Sequence, residues 1–159
     1  MNSLDPGTAS AAASPDYTPA STKPPLRKLI LNWSGEDLRF EGGPEGTPAS
    51  VVDSRGKAGP SPTDHLLLAF AGCMGVDLID ILKKSRVPVE QLQVDVVGHR
   101  APDPPRRFTS IVMTFSLSGP SSADRPKVER ALNLSRETYC SVLHTLRSDL
   151  DITLEICLD

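Results

Sequence analysis

The chain has 159 residues, a net charge of −3 and 38% hydrophobic residues. That length suits one domain, and the absence of a basic excess argues against a nucleic-acid partner. The longest uncharged apolar stretch, His65 to Val76, is shorter than the roughly 20 residues a bilayer needs, so no membrane-spanning helix is expected.

Residues 1–24 are dominated by Ala, Ser, Thr and Pro, and such a stretch buries too little surface to offset its ordering entropy. They are expected to be a disordered tail, with residues 25–159 forming the domain. The start has neither a basic cluster nor an apolar run, so it does not read as a secretory signal. Three cysteines, at 73, 140 and 157, make neither a disulfide framework nor a C-x-x-C zinc spacing, and suggest a reducing cytoplasm.

Leu26 to Trp33 reads as a strand, and Leu38 to Glu41 as its partner across a turn at Ser34-Gly35-Glu36-Asp37. A Gly/Pro loop spans Gly42 to Pro48. Ala49 to Asp53 suits a third short strand, and Arg55 to Pro60 a second loop.

The clearest element follows. Ser61 suits the N-cap, Pro62 the first helical position and Asp64 the acid of a capping box. Leu66, Leu67, Phe70, Met74, Leu78, Ile81 and Leu82 recur at helical spacing. Lys83, Lys84 and Arg86 favour the last turn and Pro88 stops the run, giving a helix from Pro62 to Arg86. Its apolar first half needs cover on most sides, which suggests a second subunit.

Gln91 to His99 alternates, with Leu92, Val94 and Val96 on one face. Arg107 to Ser118 alternates too, with Ile111, Met113, Phe115 and Leu117 inward, and the Pro-rich 101–106 segment makes the two a hairpin. Asp124 to Ser135 reads as a helix capped by Asp124 and packed through Val128, Ala131 and Leu132. A short helical piece is expected near Cys140 to Leu146, and a closing strand from Ile152 to Leu158.

Cys73 lies inside the long helix, in Ala71-Gly72-Cys73-Met74-Gly75, where small neighbours permit close approach by a substrate or another backbone. It is a candidate nucleophile, although a free Cys in a core is often inert. The helix N-terminus does not activate it: Cys73 stands 12 residues after Ser61, roughly 18 Å along the axis. Asp77 and Asp80 share its face and oppose a negative sulfur. An activating cation must come from elsewhere, with Arg39 and Arg55 the candidates. Cys140 is 67 positions away, so any meeting is tertiary; a second thiol can trap a sulfenic acid as a disulfide. Cys157 faces away from the core residues of its strand and receives no role. Cys140 and His144 are spaced i, i+4 and could share a metal with Cys73 and His65, but no paired ligand motif supports that site, so no metal is expected. His99, at a strand end, reads as surface.

The run Gly59-Pro60-Ser61-Pro62-Thr63-Asp64-His65 through Ala71-Gly72-Cys73, continuing to Lys83-Lys84, resembles the signature helix of the OsmC/Ohr family. Val128-Glu129-Arg130-Ala131 and Tyr139-Cys140-Ser141-Val142 resemble its second cysteine segment. The resemblance covers residues 25 to 159 and is nearest to the OsmC-like subgroup with Gly-Pro-x-Pro before the helix. It implies an α+β fold with small antiparallel sheets on a long Cys-bearing helix, in an intertwined homodimer with interface active sites. It also implies reduction of organic hydroperoxides, with Cys73 peroxidatic, Cys140 resolving, a lipoyl-type dithiol as reductant and no cofactor. In the hydroperoxide-resistance branch an Arg held by a Glu activates the thiolate. Thr63 stands where that Glu falls, with Asp64 next to it, and Glu36 stands near the Arg position, with Arg39 three residues on. About 100° per residue puts Asp64 opposite Cys73, so Asp64 is a helix cap or a substitute for that Glu. The alternative is an OsmC-like dimer that binds a small apolar or thiol ligand without turnover.

Overall fold

The computed structural model describes residues 26–159; the expected tail, residues 1–24, lies outside them. The chain forms two three-stranded sheets and one long helix, which packs on the second sheet and touches the first chiefly at β3. The first sheet has order β1-β2-β3, with β1 at Ile30–Trp33, β2 at Arg39–Gly43 and β3 at Ser50–Asp53. Both pairings are antiparallel, and Trp33 faces Phe40 across the expected turn. Gly35 has φ 86° and Asp37 φ 45°, and the Ser34 N–H closes the turn on the Arg39 carbonyl at 3.0 Å.

Helix α1 spans Pro62–Lys84 and starts as its sequence requires. The Ser61 hydroxyl accepts from the Asp64 N–H at 3.2 Å, while an Asp64 carboxylate oxygen accepts from the Ser61 N–H at 2.9 Å. The helix stops two residues short of the expected Arg86, which adopts φ 56°. Phe70, Met74, Leu78 and Leu82 form its buried stripe. Leu66, expected to be inward, stays exposed. By length and overall hydropathy α1 is sufficient to cross a membrane, so counting only its uncharged stretch understated it. Its buried stripe is instead committed to the core.

The second sheet has order β4-β5-β6, with β4 at Gln91–Arg100, β5 at Phe108–Ser118 and β6 at Asp151–Leu158. The β4–β5 hairpin is antiparallel as expected, but β6 joins β5 in parallel. The expectation of purely antiparallel sheets fails there, because the helical segment between β5 and β6 carries the chain back to the end where β5 began. Ile111, Met113, Phe115 and Leu117 are at most 1% exposed and meet the α1 stripe.

Helix α2, Arg125–Leu134, packs on α1 through Val128, Ala131 and Leu132. A 3₁₀ turn at Ser122–Asp124 precedes it. Asp124 makes no side-chain capping bond to α2; its carboxylate accepts from the N–H and hydroxyl of Ser121 and pairs with Lys127 at 3.0 Å, so the cap lies one turn earlier than the sequence suggests. After α2 the chain widens into a π-type turn at Ser135–Tyr139, then forms the short helix α3, Ser141–Thr145.

Candidate functional site: a thiol pair beside a carboxylate

Cys73 sits near the middle of α1, and Cys140 at the junction between the π-type turn and α3. That turn ends on an i→i+5 bond, the Cys140 N–H donating to the Ser135 carbonyl at 2.9 Å. It absorbs one extra residue and aims Cys140 back at α1. The Leu143 N–H donates to the Cys140 sulfur at 3.4 Å, so the thiol also caps α3.

The two sulfurs and a carboxylate oxygen of Asp77 all lie within 4.8 Å of one another. Both thiols are free, with Cys73 half-buried and Cys140 fully buried. A disulfide needs the sulfurs at about 2.05 Å, so closure requires an approach of less than ~3 Å from the open pair. Beyond the pair, the Cys73 sulfur lies 4.0 Å from the Ser141 hydroxyl. Burial pushes the Cys140 thiol up to about 11, against the Leu143 N–H, while Cys73 and Asp77 push it the same way as burial. Cys140 therefore carries its proton at neutral pH.

The expected acidic neighbours of Cys73 divide. Asp77 faces the thiols and accepts a 2.7 Å hydrogen bond from the Ser135 hydroxyl, which is itself fully buried. Asp80 turns aside to an ion pair with Lys84 at 2.6 Å.

The remaining candidates lie elsewhere. Asp64 caps α1, and hydrogen bonds from the Ser61 hydroxyl and then its N–H hold the carboxyl below its usual range. Arg39 pairs with Glu41 inside the first sheet, leaving its Nε buried without a hydrogen-bond partner among the described residues. Arg55 stands 3.8 Å from Asp37. Neither arginine is bonded to a cysteine. His144 and His65 do not join the close group around the sulfurs; the His65 ring instead lies 3.0 Å from the Ser61 carbonyl. Cys157 is exposed on β6.

The sequence did not reveal the Ser135–Asp77 link. A mid-helix serine followed by polar residues carries no signal for a π-type turn, and only tertiary packing places it over position 77.

A long Cys-bearing helix with two small sheets, and a second cysteine returned to it by α2 and α3, define a recognisable class. The family model described as OsmC-like protein matches residues 54–155, and the chain belongs to that family. It is 35% identical over 119 residues to Protein YhfA of Escherichia coli K12, covering 74% of this chain and 88% of YhfA. A hypothetical protein from Aquifex aeolicus VF5 shares the fold with a TM-score of 0.71 at 25% identity, over 85% of this chain and 98% of that one. An organic hydroperoxide resistance protein OsmC from Legionella pneumophila, described as a predicted redox protein, superposes with a TM-score of 0.62 at 14% identity. That match covers 84% of this chain and 99% of the Legionella chain, and at this identity it speaks for the fold alone.

Proposed function

We propose that this protein reduces organic hydroperoxides, with Cys73 as the peroxidatic thiol and Cys140 as the resolving thiol. The observation that carries this reading is the meeting, within 4.8 Å, of two free thiols from distant segments, one accessible and one buried. Their environments divide the labour. Cys140, buried and protonated, is unsuited to lead, so the first attack falls to Cys73. The Cys73 thiolate attacks the outer peroxide oxygen, the O–O bond breaks, and the alkoxide leaves as an alcohol after taking a proton. Cys73 is then a sulfenic acid. The Cys140 sulfur displaces its hydroxyl, which leaves as water, and the disulfide forms. A dithiol of the lipoyl or dithiothreitol type restores both thiols by exchange and is itself oxidised. The apolar surface of α1 favours alkyl or lipid peroxides over hydrogen peroxide.

The working unit in this proposal is a homodimer. Ile30, Leu31 and Trp33 of the first sheet are exposed, as are Leu68 and Val76 on α1. An open groove of about 670 Å³ runs between α1 and β4, lined by Leu68, Gly72, Val76, Ile79, Leu92 and Val94. A second copy seated there would cover the apolar surface that one chain leaves bare. It would also bring its own first sheet, with Arg39 as the candidate to supply a cation to Cys73, whose sulfur is bonded to no basic side chain among the described residues.

The test is dithiothreitol-dependent consumption of cumene hydroperoxide. Turnover that falls to background in Cys73→Ser is expected, and turnover that survives it overturns the assignment. That no basic side chain is bonded to Cys73 among the described residues is the observation that favours the second reading, a dimer that binds a small apolar or thiol ligand without turnover. Complete inactivity of the intact reduced protein would decide for that alternative.

A further inference from the structure

We propose that the reduced thiol pair and Asp77 together form a three-ligand site for a thiophilic divalent cation, Zn²⁺ or Cd²⁺, one per chain. Cys73 and Asp77 are i and i+4 on one face of α1, and Cys140 closes the third corner from a separate element. Zn–S bonds of about 2.3 Å and Zn–O bonds of about 2.1 Å at tetrahedral angles place ligand atoms roughly 3.6–3.8 Å apart. The present separations are within 4.8 Å, so side-chain adjustment of about 1 Å suffices.

The chemistry of the donors selects the ion. With the thiol protons released to solvent as the metal binds, two thiolates and one carboxylate suit a borderline-soft cation, whereas Mg²⁺ and Ca²⁺ take six or more oxygen ligands. Three negative ligands against two positive charges leave one net negative charge, spread over polarizable sulfur.

The surroundings fit this role. Asp77 makes no ion pair among the described residues. Its Oδ2 is oriented by the buried Ser135 hydroxyl at 2.7 Å, as outer-shell donors orient metal-binding carboxylates. Ser135 has that position because it opens the π-type turn whose last bond fixes Cys140, so one local distortion places two parts of the site. Cys73 is the accessible corner, which leaves a path for the ion and a fourth position for water.

The site stands apart from the proposed turnover, because binding is read on reduced protein without peroxide. Metal-stripped full-length protein would compete for Zn²⁺ against a chromophoric chelator, and Cd²⁺ would report sulfur ligation by thiolate charge-transfer absorption. One equivalent per chain is expected, with absorption that falls in either Cys73→Ala or Cys140→Ala. Asp77→Asn, nearly isosteric, should weaken binding tenfold or more, and Ser135→Ala should weaken it about tenfold. Cys157→Ala and His144→Ala should bind like the parent. Unchanged affinity in Asp77→Asn, loss in His144→Ala or Cys157→Ala, or no binding by the folded parent protein would each overturn the proposal. Circular dichroism separates a ligand effect from a failure to fold.

Discussion

Cys140 shows how one residue's burial shapes both chemistry and stability. Its thiol is raised to about 11 by burial, whereas in the unfolded chain a cysteine ionises near 8.5. Between those values the unfolded chain sheds a proton that the folded chain keeps. The contribution to stability is therefore full below about pH 8.5 and is lost as pH rises toward 11. Urea unfolding of reduced protein at pH 8 and pH 10 should show a smaller loss in Cys140→Ala than in the parent; equal losses would contradict it. The redox roles proposed for the two thiols also separate at this scale. After one equivalent of peroxide, Cys140→Ser should accumulate Cys73 as sulfenic acid or its over-oxidised forms, with no intrachain disulfide by mass spectrometry. A Cys73→Ser chain should remain unoxidised at Cys140, and rapid oxidation there would reverse the assignment.

Among the elements, α1 positions the most. Its stripe of Phe70, Met74, Leu78 and Leu82 is fully buried against β5 and α2, which fixes the rotation that turns Cys73 and Asp77 toward α3. Leu78→Ala should lower unfolding free energy by ~2–5 kcal/mol in denaturant titration. A loss below 1 kcal/mol would mean that the stripe is not tightly packed. The first sheet depends on a close backbone approach. A Cβ at Gly42 would lie 2.0 Å from the Ile30 carbonyl oxygen, so Gly42→Ala must push β1 away from β2. At the other end of that sheet the Asp53 carboxylate gathers the N–H groups of Arg55, Lys57 and Ala58, tying the loop that leads into α1. Those bonds, the one from Ala58 foremost, lower the Asp53 carboxyl from its ordinary value. Their support is present above the unfolded carboxylate range and is lost as pH falls below it through the lowered folded value.

For the whole molecule, the exposed apolar face of α1 and the thinly covered first sheet point the same way. Val76 is 71% exposed in the single chain. Sedimentation should report a dimer for the parent protein and a monomer for Val76→Glu with unchanged circular dichroism; a monomeric parent protein would remove the proposed interface. If Arg39 serves the other copy's Cys73, mixing Arg39→Ala with Cys73→Ser should restore turnover above either variant alone. Failure of the mixture, with hybrid dimers demonstrated, would place the activating cation elsewhere.

Much of the architecture was legible in local pattern. The capping box at Ser61 and Asp64, the helical stripe of α1, the alternation in β4 and β5, and the inward face of α2 all express periodicities that neighbours in sequence can reveal. Both thiols were visible as candidates from residue type and from the resemblance of their two segments to the family pattern. The direction of β6, the turn at Ser135 and the partnering of Asp77 were not, because each depends on contacts between residues tens of positions apart.

The sequence by itself determined where the thiols lie and which helix presents Cys73, since capping, periodicity and residue type act over a few residues. Tertiary structure alone decided that Cys140 would be buried against Cys73, that Asp77 would face both while Asp80 turned to Lys84, and that Ser135 would hold the carboxylate. Those outcomes depend on how α2 and the π-type turn pack over α1, and no pattern within one segment encodes that distance.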